Sequence, residues 1–263
     1  MANSPVEAEL THDSLVASIS QVLIDARIPN LLWGNYLLTV YGVPTIVDDV
    51  AFVLADEHIA MAESAVKEAN FVPCTKGLNC PRVNGFQAQP PPKHLHINEE
   101  FVIPLHEKSD VLWKFGEFGF SQFENNPDIL SASDLRLLSA VPGRGRGRFP
   151  QEFSFVRIPS AAVFCEALIL LLCRDYDSSY ETYWLAILSY ILEYVDETDI
   201  FNGNDLGEEY RKFYYALKGG DPMVWSYLDE LRSDLNLKDQ LPKNKSTSVT
   251  DLLWTTKGEQ SHI

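Results

Sequence analysis

Leu31-Leu32-Trp33-Gly34-Asn35, followed by Tyr41-Gly42-Val43-Pro44-Thr45-Ile46-Val47-Asp48-Asp49-Val50-Ala51-Phe52-Val53-Leu54, joins a short apolar run to a glycine turn and then to a second apolar run headed by paired aspartates. Residues 31–33 have strand character. Gly34-Asn35 turns the chain, and the Asn side chain can accept a backbone N–H at the start of a helix. That helix is expected over 36–41, with Gly42 ending it. Residues 50–54 are rich in β-formers and predict a second strand. A glycine turn at a helix N-terminus suits an anion, and a carboxylate at the head of the next strand can hold a divalent cation against it. The plainer reading is an ordinary strand-to-helix turn and a polar strand start beside a solvated loop.

This order resembles the opening of the nucleotidyltransferase fold, the polymerase-β-like superfamily. The family motif is a hydrophobic residue, Gly, then Gly or Ser, a helix, and a strand bearing Asp-hydrophobic-Asp. Gly34, Tyr41, Gly42 and Asp49 match in order and spacing. Asn35 stands where the family usually has the Ser that binds triphosphate, and Ala51 where it has the second metal Asp. Asp48 adds a carboxylate, but neighbours on a strand point to opposite faces. The likeness covers roughly the first half of the chain and is that of a degenerate member. The chain is also similar to uncharacterised fungal proteins with a "GVPT…D…FV" stretch and a later His-hydrophobic-His strand. The resemblance implies an α/β (α+β) fold, a small mixed sheet of nucleotidyltransferase type followed by a helical C-terminal half. It further implies a nucleotide triphosphate cradled by Gly34 and Asn35, with Mg²⁺ or another divalent cation on Asp49.

The chain has 263 residues and a formal net charge of −16. Such acidity repels nucleic acid and anionic lipid, which argues against both as partners. It leaves room for a local basic pocket sized for one nucleotide. Hydrophobic residues are 46% of the total, enough for a packed core. Cys74, Cys80, Cys165 and Cys173 form no C-x-x-C pair. Cys165 and Cys173 lie in a very apolar run and read as buried thiols. Cys74 and Cys80 flank a loop and could bridge, but read first as a free pair of a cytosolic protein. The N-terminus shows no basic-then-apolar leader. The apolar run 161–173 is broken by Glu166 and too short to span a bilayer. A cytoplasmic protein is expected.

Helical periodicity marks 13–26 and 56–69. A short extended piece follows at 71–73, then a loop over 75–93 that ends in Pro90-Pro91-Pro92. Residues 94–97 and 101–105 predict strands, paired as a hairpin over Asn98-Glu99-Glu100. Residues 111–115 suggest another extended piece. Four helices are expected at 160–174, 180–195, 206–218 and 222–235. The domain plan is a nucleotidyltransferase-like α/β unit over 1–125, a linker with a Gly-Arg run over 126–150, a helical unit over 151–238 and a polar tail over 239–263.

Three groups of residues can carry chemistry. His94 and His96 alternate with Leu95 and Ile97, so both imidazoles share one strand face. In the resembled fold a third metal carboxylate lies on a strand in this region, so the His pair is expected to face Asp49. Asp49, His94 and His96 then form the metal set and the catalytic residues, a combination that suits Zn, Fe or Mn better than a Mg pair; the plainer reading is a strand face exposed to solvent, or a His donating to backbone. Gly143-Arg144-Gly145-Arg146-Gly147-Arg148 is a dense basic patch. It reads as a solvated linker or as a lid whose Arg144, Arg146 and Arg148 grip phosphate. Lys108, Ser109 and Asp110 beside Trp113 either line a pocket, with Lys108 contacting ligand, or form a turn with Trp113 in the core. The candidate ligand-binding residues are Gly34, Asn35, Asp48, Lys108, Arg144, Arg146 and Arg148. The tyrosines between 176 and 194 read as packing, with a pocket wall or a homodimer face as the sharper use. G-x-S-x-G, P-loop, kinase and H-E-x-x-H patterns are all absent.

These features order the functional expectations. The first is a degenerate nucleotidyltransferase-like protein that binds a nucleotide or other small molecule, with weak or absent Mg²⁺-dependent transfer. The second is an enzyme of different chemistry in the same cleft, using His94 and His96. The third is an active nucleotidyltransferase modifying a small acceptor.

Overall fold

The computed structural model of the chain describes residues 13–83, 90–99, 101–124, 126–237 and 241–242. Its centre is the predicted strand-turn-helix-strand unit. Strand β1 (Asn30–Trp33) runs into helix α2 (Gly34–Val40) and returns antiparallel as β2 (Ala51–Leu54), with Leu31 opposite Val53 and Trp33 opposite Ala51. Every residue of β1 and β2 is buried. Both faces of these strands are covered, which is why they read as continuous apolar runs rather than alternating ones.

Three further strands complete the sheet: β3 (Val72–Pro73), β4 (Lys93–His96) and β5 (Val102–Glu107). The order is β1-β2-β5-β4-β3. The expected hairpin of β4 and β5 is present, and β5 also pairs parallel with β2, placing His106 beside Val53. Helices α1 (Asp13–Asp25) and α3 (Ile59–Glu68) pack together, with α3 against β4 and β5.

The second half is helical, as expected: α4 (Ala161–Arg174), α5 (Glu181–Tyr194), α6 (Glu208–Gly219) and α7 (Val224–Leu237). Ser160 caps α4 by accepting the Val163 N–H. Leu168 and Leu170 on α4 are 1% and 4% exposed, so this helix is core. Phe164 meets Trp33 edge-on at 4.7 Å between ring centroids, joining α4 to the sheet. Nearly all of the buried apolar residues, from Leu15 to Leu235, form one cluster.

Residues 126–150 do more than link. They contribute β6 (Ile129–Ser131), which pairs antiparallel with β7 (Arg157–Pro159). The Gly-Arg run is stitched to the end of α2: the Gly145 N–H donates to Gly42 O and the Gly147 N–H to Thr39 O, each at 2.9 Å. A Cβ on Gly145 would stand 2.5 Å from Thr39 O, so the glycine serves close packing rather than flexibility. The 108–110 segment is a single helical turn, Lys108–Val111, with the Ser109 N–H on Asp56 Oδ1, and Trp113 packs against the core. The extended piece expected at 111–115 is not formed. Among the described residues no helix is long and apolar enough to cross a membrane. Nearly all of the expected polar tail lies outside the described residues.

Candidate functional site

Strand parity builds the site. Asp49 bridges to Val102 just ahead of β2, so Asp49 and Ala51 share a sheet face with Trp33, Pro104 and His106. Between this face and helices α4 and α5 lies an open-mouthed cleft. One end holds Gly34, Asn35 and Asp49. The helical wall supplies Phe164, Leu168, Tyr183 and Trp184. The loop before β4 supplies Arg82, Val83, Pro90 and Pro91. Its lining, more apolar than polar with a few polar groups among the walls, has the chemistry of a small-molecule site.

Asp49 is the chemically distinctive point of this arrangement. Its Oδ1 is sealed from solvent and has no hydrogen-bond partner among the described residues. Burial, and secondly the neighbouring Asp48 carboxylate, push its pKa up to about 7. Gly34 sits at φ 69°, and a Cβ there would lie 3.7 Å from Asp49 Oδ1. A glycine therefore satisfies the backbone and keeps the space before the carboxylate clear. Asp48 is solvent-exposed, consistent with the opposite face. Tyr183 on α5 is held protonated by burial first, and then by Asp49 and Asp48, so its hydroxyl lies within the field of this carboxylate.

His106 faces the same cleft, and burial lowers its pKa to about 4, with Asp110 pulling weakly the other way. It is neutral at physiological pH. The expected strand boundary at 105 excluded it, and a boundary one residue longer would have put it on the Asp49 face. Arg174 also reaches the cleft, but its Nε and Nη2 each donate to Asp175 at 2.8 Å and its Nη1 to Asp110 O at 2.6 Å. Trp184 Nε1 donates to the same Asp175 at 2.8 Å. This sealed ion pair braces the Trp184 wall.

Several expected site residues lie elsewhere. Lys108 does not line the cleft, although Asp110 on the same turn does. Arg144 stacks over Tyr194, with 5.2 Å from guanidinium to ring centroid. Arg146 pairs with Asp13 at 3.5 Å and covers Tyr36. Arg148 donates to Leu135 O and Leu137 O. None of the three arginines lines the cleft, so the run is not a lid over it.

The expected meeting of Asp49 with His94 and His96 is also corrected. Register does put the imidazoles on the cleft face, since His94 opposes Pro104 and His96 opposes Val102. But β5 is inserted between β2 and β4. Two strand spacings separate the His pair from Asp49, about 10 Å. The His pair instead meets Cys74 and Cys80.

The donors around Asp49 do not match the divalent cations that the resemblance implies. One orphaned carboxylate oxygen is present, but Ala51 takes the place of the second carboxylate. Among the described residues no group of three or more Cys, His or carboxylate donors converges on Asp49. The site does not fit a two-metal clamp.

Fold and site together define a mixed α/β protein with a cleft between its sheet and its C-terminal helices. No protein-family model and no curated protein matches the sequence. Among solved structures, the chain is similar to ANT(2″)-Ia in complex with adenylyl-2″-tobramycin, at 13% identity and a TM-score of 0.36, covering 86% of this chain and 97% of that one. It is also similar to the solution structure of the antibiotic-resistance factor ANT(2″)-Ia, at 12% identity and a TM-score of 0.33, covering 86% and 94%.

Proposed function

We propose that this chain is a degenerate nucleotidyltransferase-like protein that binds a nucleotide or another small molecule in the cleft at Asp49, with weak or absent Mg²⁺-dependent transfer. One observation carries the reading: a sealed, unpartnered Asp49 Oδ1 faces the gap left by Gly34, while Ala51 occupies the second carboxylate position. A buried acceptor left without a partner, on a residue that lines the cleft, calls for an explanation that a bound ligand supplies. Trp33, Tyr183 and Trp184 offer flat apolar walls to a base or sugar ring. Losing one carboxylate removes part of the metal clamp on which in-line phosphoryl chemistry depends.

The test has two arms. Nucleoside triphosphates, with and without Mg²⁺, are screened for a rise in melting temperature; saturation at one hundred times Kd corresponds to about 2.7 kcal/mol of stabilisation. No shift with any nucleotide overturns the nucleotide part. Pyrophosphate release is then measured with hydroxyl and amine acceptors in the wild type, Ala51→Asp and Asp49→Ala. Background release in the wild type and a gain in Ala51→Asp are expected. Robust wild-type turnover lost in Asp49→Ala overturns the degenerate reading in favour of an active transferase.

A different chemistry in the same cleft is the second reading, and it is Asp49 rather than His94 or His96 that favours it. A carboxyl group titrating at about 7 is placed for general acid–base work at physiological pH. An activity whose pH profile lacks a limb near pH 7, or keeps it in Asp49→Asn, excludes that role.

A further inference from the structure

The loop between β3 and β4 brings together four side chains that the cleft does not use. Cys74 extends the β3–β4 ladder, its N–H donating to His94 O at 3.2 Å. With Val72 opposite His96 and Pro73 opposite Leu95, Cys74 falls opposite His94. Cross-strand neighbours of this kind share a face. The chain then turns through Gly77–Asn79, where Gly77 has φ 51°, and returns Cys80 over His96. Cys80 Sγ lies 3.7 Å from His96 Nε2, and the two imidazole centroids are 5.5 Å apart. One donor atom from each of Cys74, Cys80, His94 and His96 lies within 4.8 Å of all the others.

We propose that Cys74, Cys80, His94 and His96 form a tetrahedral S₂N₂ site for Zn²⁺. Bond lengths of about 2.3 Å to sulfur and 2.0 Å to nitrogen set donor separations of about 3.3–3.8 Å in a tetrahedron. The widest donor separation, 4.8 Å, exceeds this by about 1 Å. The cluster carries marks of ligation beyond proximity. His94 is 5% exposed, and its Nε2 has no hydrogen-bond partner among the described residues. An imidazole nitrogen so placed is costly unless something accepts its lone pair or its proton. The Lys76 N–H donates to Cys74 Sγ at 3.4 Å, which fixes the direction of that side chain. Cys80 is 1% exposed, and both cysteines are free thiols.

Two thiolates and two imidazoles select Zn²⁺ over Mg²⁺ or Ca²⁺. Four protein ligands leave no open position, which is the pattern of a structural site. On binding, two thiol protons leave to solvent and the two sulfurs and two ring nitrogens donate to the metal, with no redox change. The ion clips the loop to β4, and that loop carries Arg82, Val83, Pro90 and Pro91 to the cleft wall. The clip is independent of what the cleft binds.

The full-length chain, purified under reducing conditions, is stripped with a chelator and titrated with Zn²⁺ and with Co²⁺. About one equivalent of zinc, the thiolate charge-transfer and ligand-field bands of tetrahedral cobalt, and zinc protection of two thiols from a disulfide reagent are expected. In Cys80→Ser and His96→Gln the zinc affinity should fall at least about tenfold. Both positions are tested because either variant alone can perturb folding, which circular dichroism of each apo form monitors. Octahedral cobalt, or no binding by the folded wild type, overturns the proposal. So does zinc binding retained in both variants but lost in Asp49→Asn. Cysteines that pair as a disulfide under the reducing conditions, with no metal taken up, overturn it as well.

Discussion

Replacing Asp49 by Asn should make the protein more stable at alkaline pH relative to wild type, and the gain should vanish in acid. The cause is the buried carboxyl, raised from its ordinary 3.8 to about 7 by burial and by Asp48. Below pH 3.8 the group is protonated in both the folded and unfolded chain, so it has no effect. Between 3.8 and 7 the unfolded chain ionises while the folded one keeps its proton. Stability therefore falls as pH rises, by up to about 1.4 kcal/mol per unit. Above 7 both are ionised and the penalty is complete. A shift of about three units corresponds to about 4 kcal/mol as an upper figure, and partial access of water reduces it. Asn carries no such term, and any cost of its amide is independent of pH. The stability difference between Asp49→Asn and wild type, from urea unfolding, should thus grow by about 2–3 kcal/mol from pH 5 to pH 8. A difference constant within about 0.5 kcal/mol would refute the reasoning, since Asp49 would then be solvated in the fold like any surface carboxylate. A positive result has a functional corollary: stability sacrificed at a cleft residue is the usual signature of a group kept for ligand.

His106 has the opposite sign. Its pKa is lowered from 6.5 to about 4, so wild-type stability should be lost as pH falls from 6.5 towards 4, and His106→Gln should flatten that limb by about 1–3 kcal/mol in the same unfolding assay. Leu168→Ala and Leu170→Ala should each cost about 2–5 kcal/mol in urea unfolding, because both leucines are buried on α4; a loss under about 0.5 kcal/mol at both would show that α4 is not packed as described.

What could be read from the chain is what local chemistry imposes. The runs at 31–33 and 50–54 are continuous and apolar because both faces of β1 and β2 are covered. Gly34 is required by a positive φ next to a carboxylate, and period two alone places Asp48 and Asp49 on opposite faces. The four C-terminal helices follow from their apolar periodicity. Gly34, Asn35 and Asp49 could be placed together because they belong to one strand-turn-helix-strand unit, joined by short connections.

Neighbours in the sheet are set by pairing between distant segments. The parity of His94 and His96 was legible, but only the insertion of β5 between β2 and β4 decided that they stand away from Asp49 and that His106 takes the nearer place. Cys74 and Cys80 showed no ligand spacing of their own, because their partners come from across a strand ladder and a turn rather than from a fixed sequence interval. The Gly-Arg run has the composition of a linker, yet Gly145 is needed where two backbones touch, a contact between residues about a hundred positions apart. Sequence alone determined the elements and the faces of its strands, since both depend on near neighbours along the chain. Tertiary structure decided which faces meet, since that depends on contacts between segments that the chain order leaves far apart.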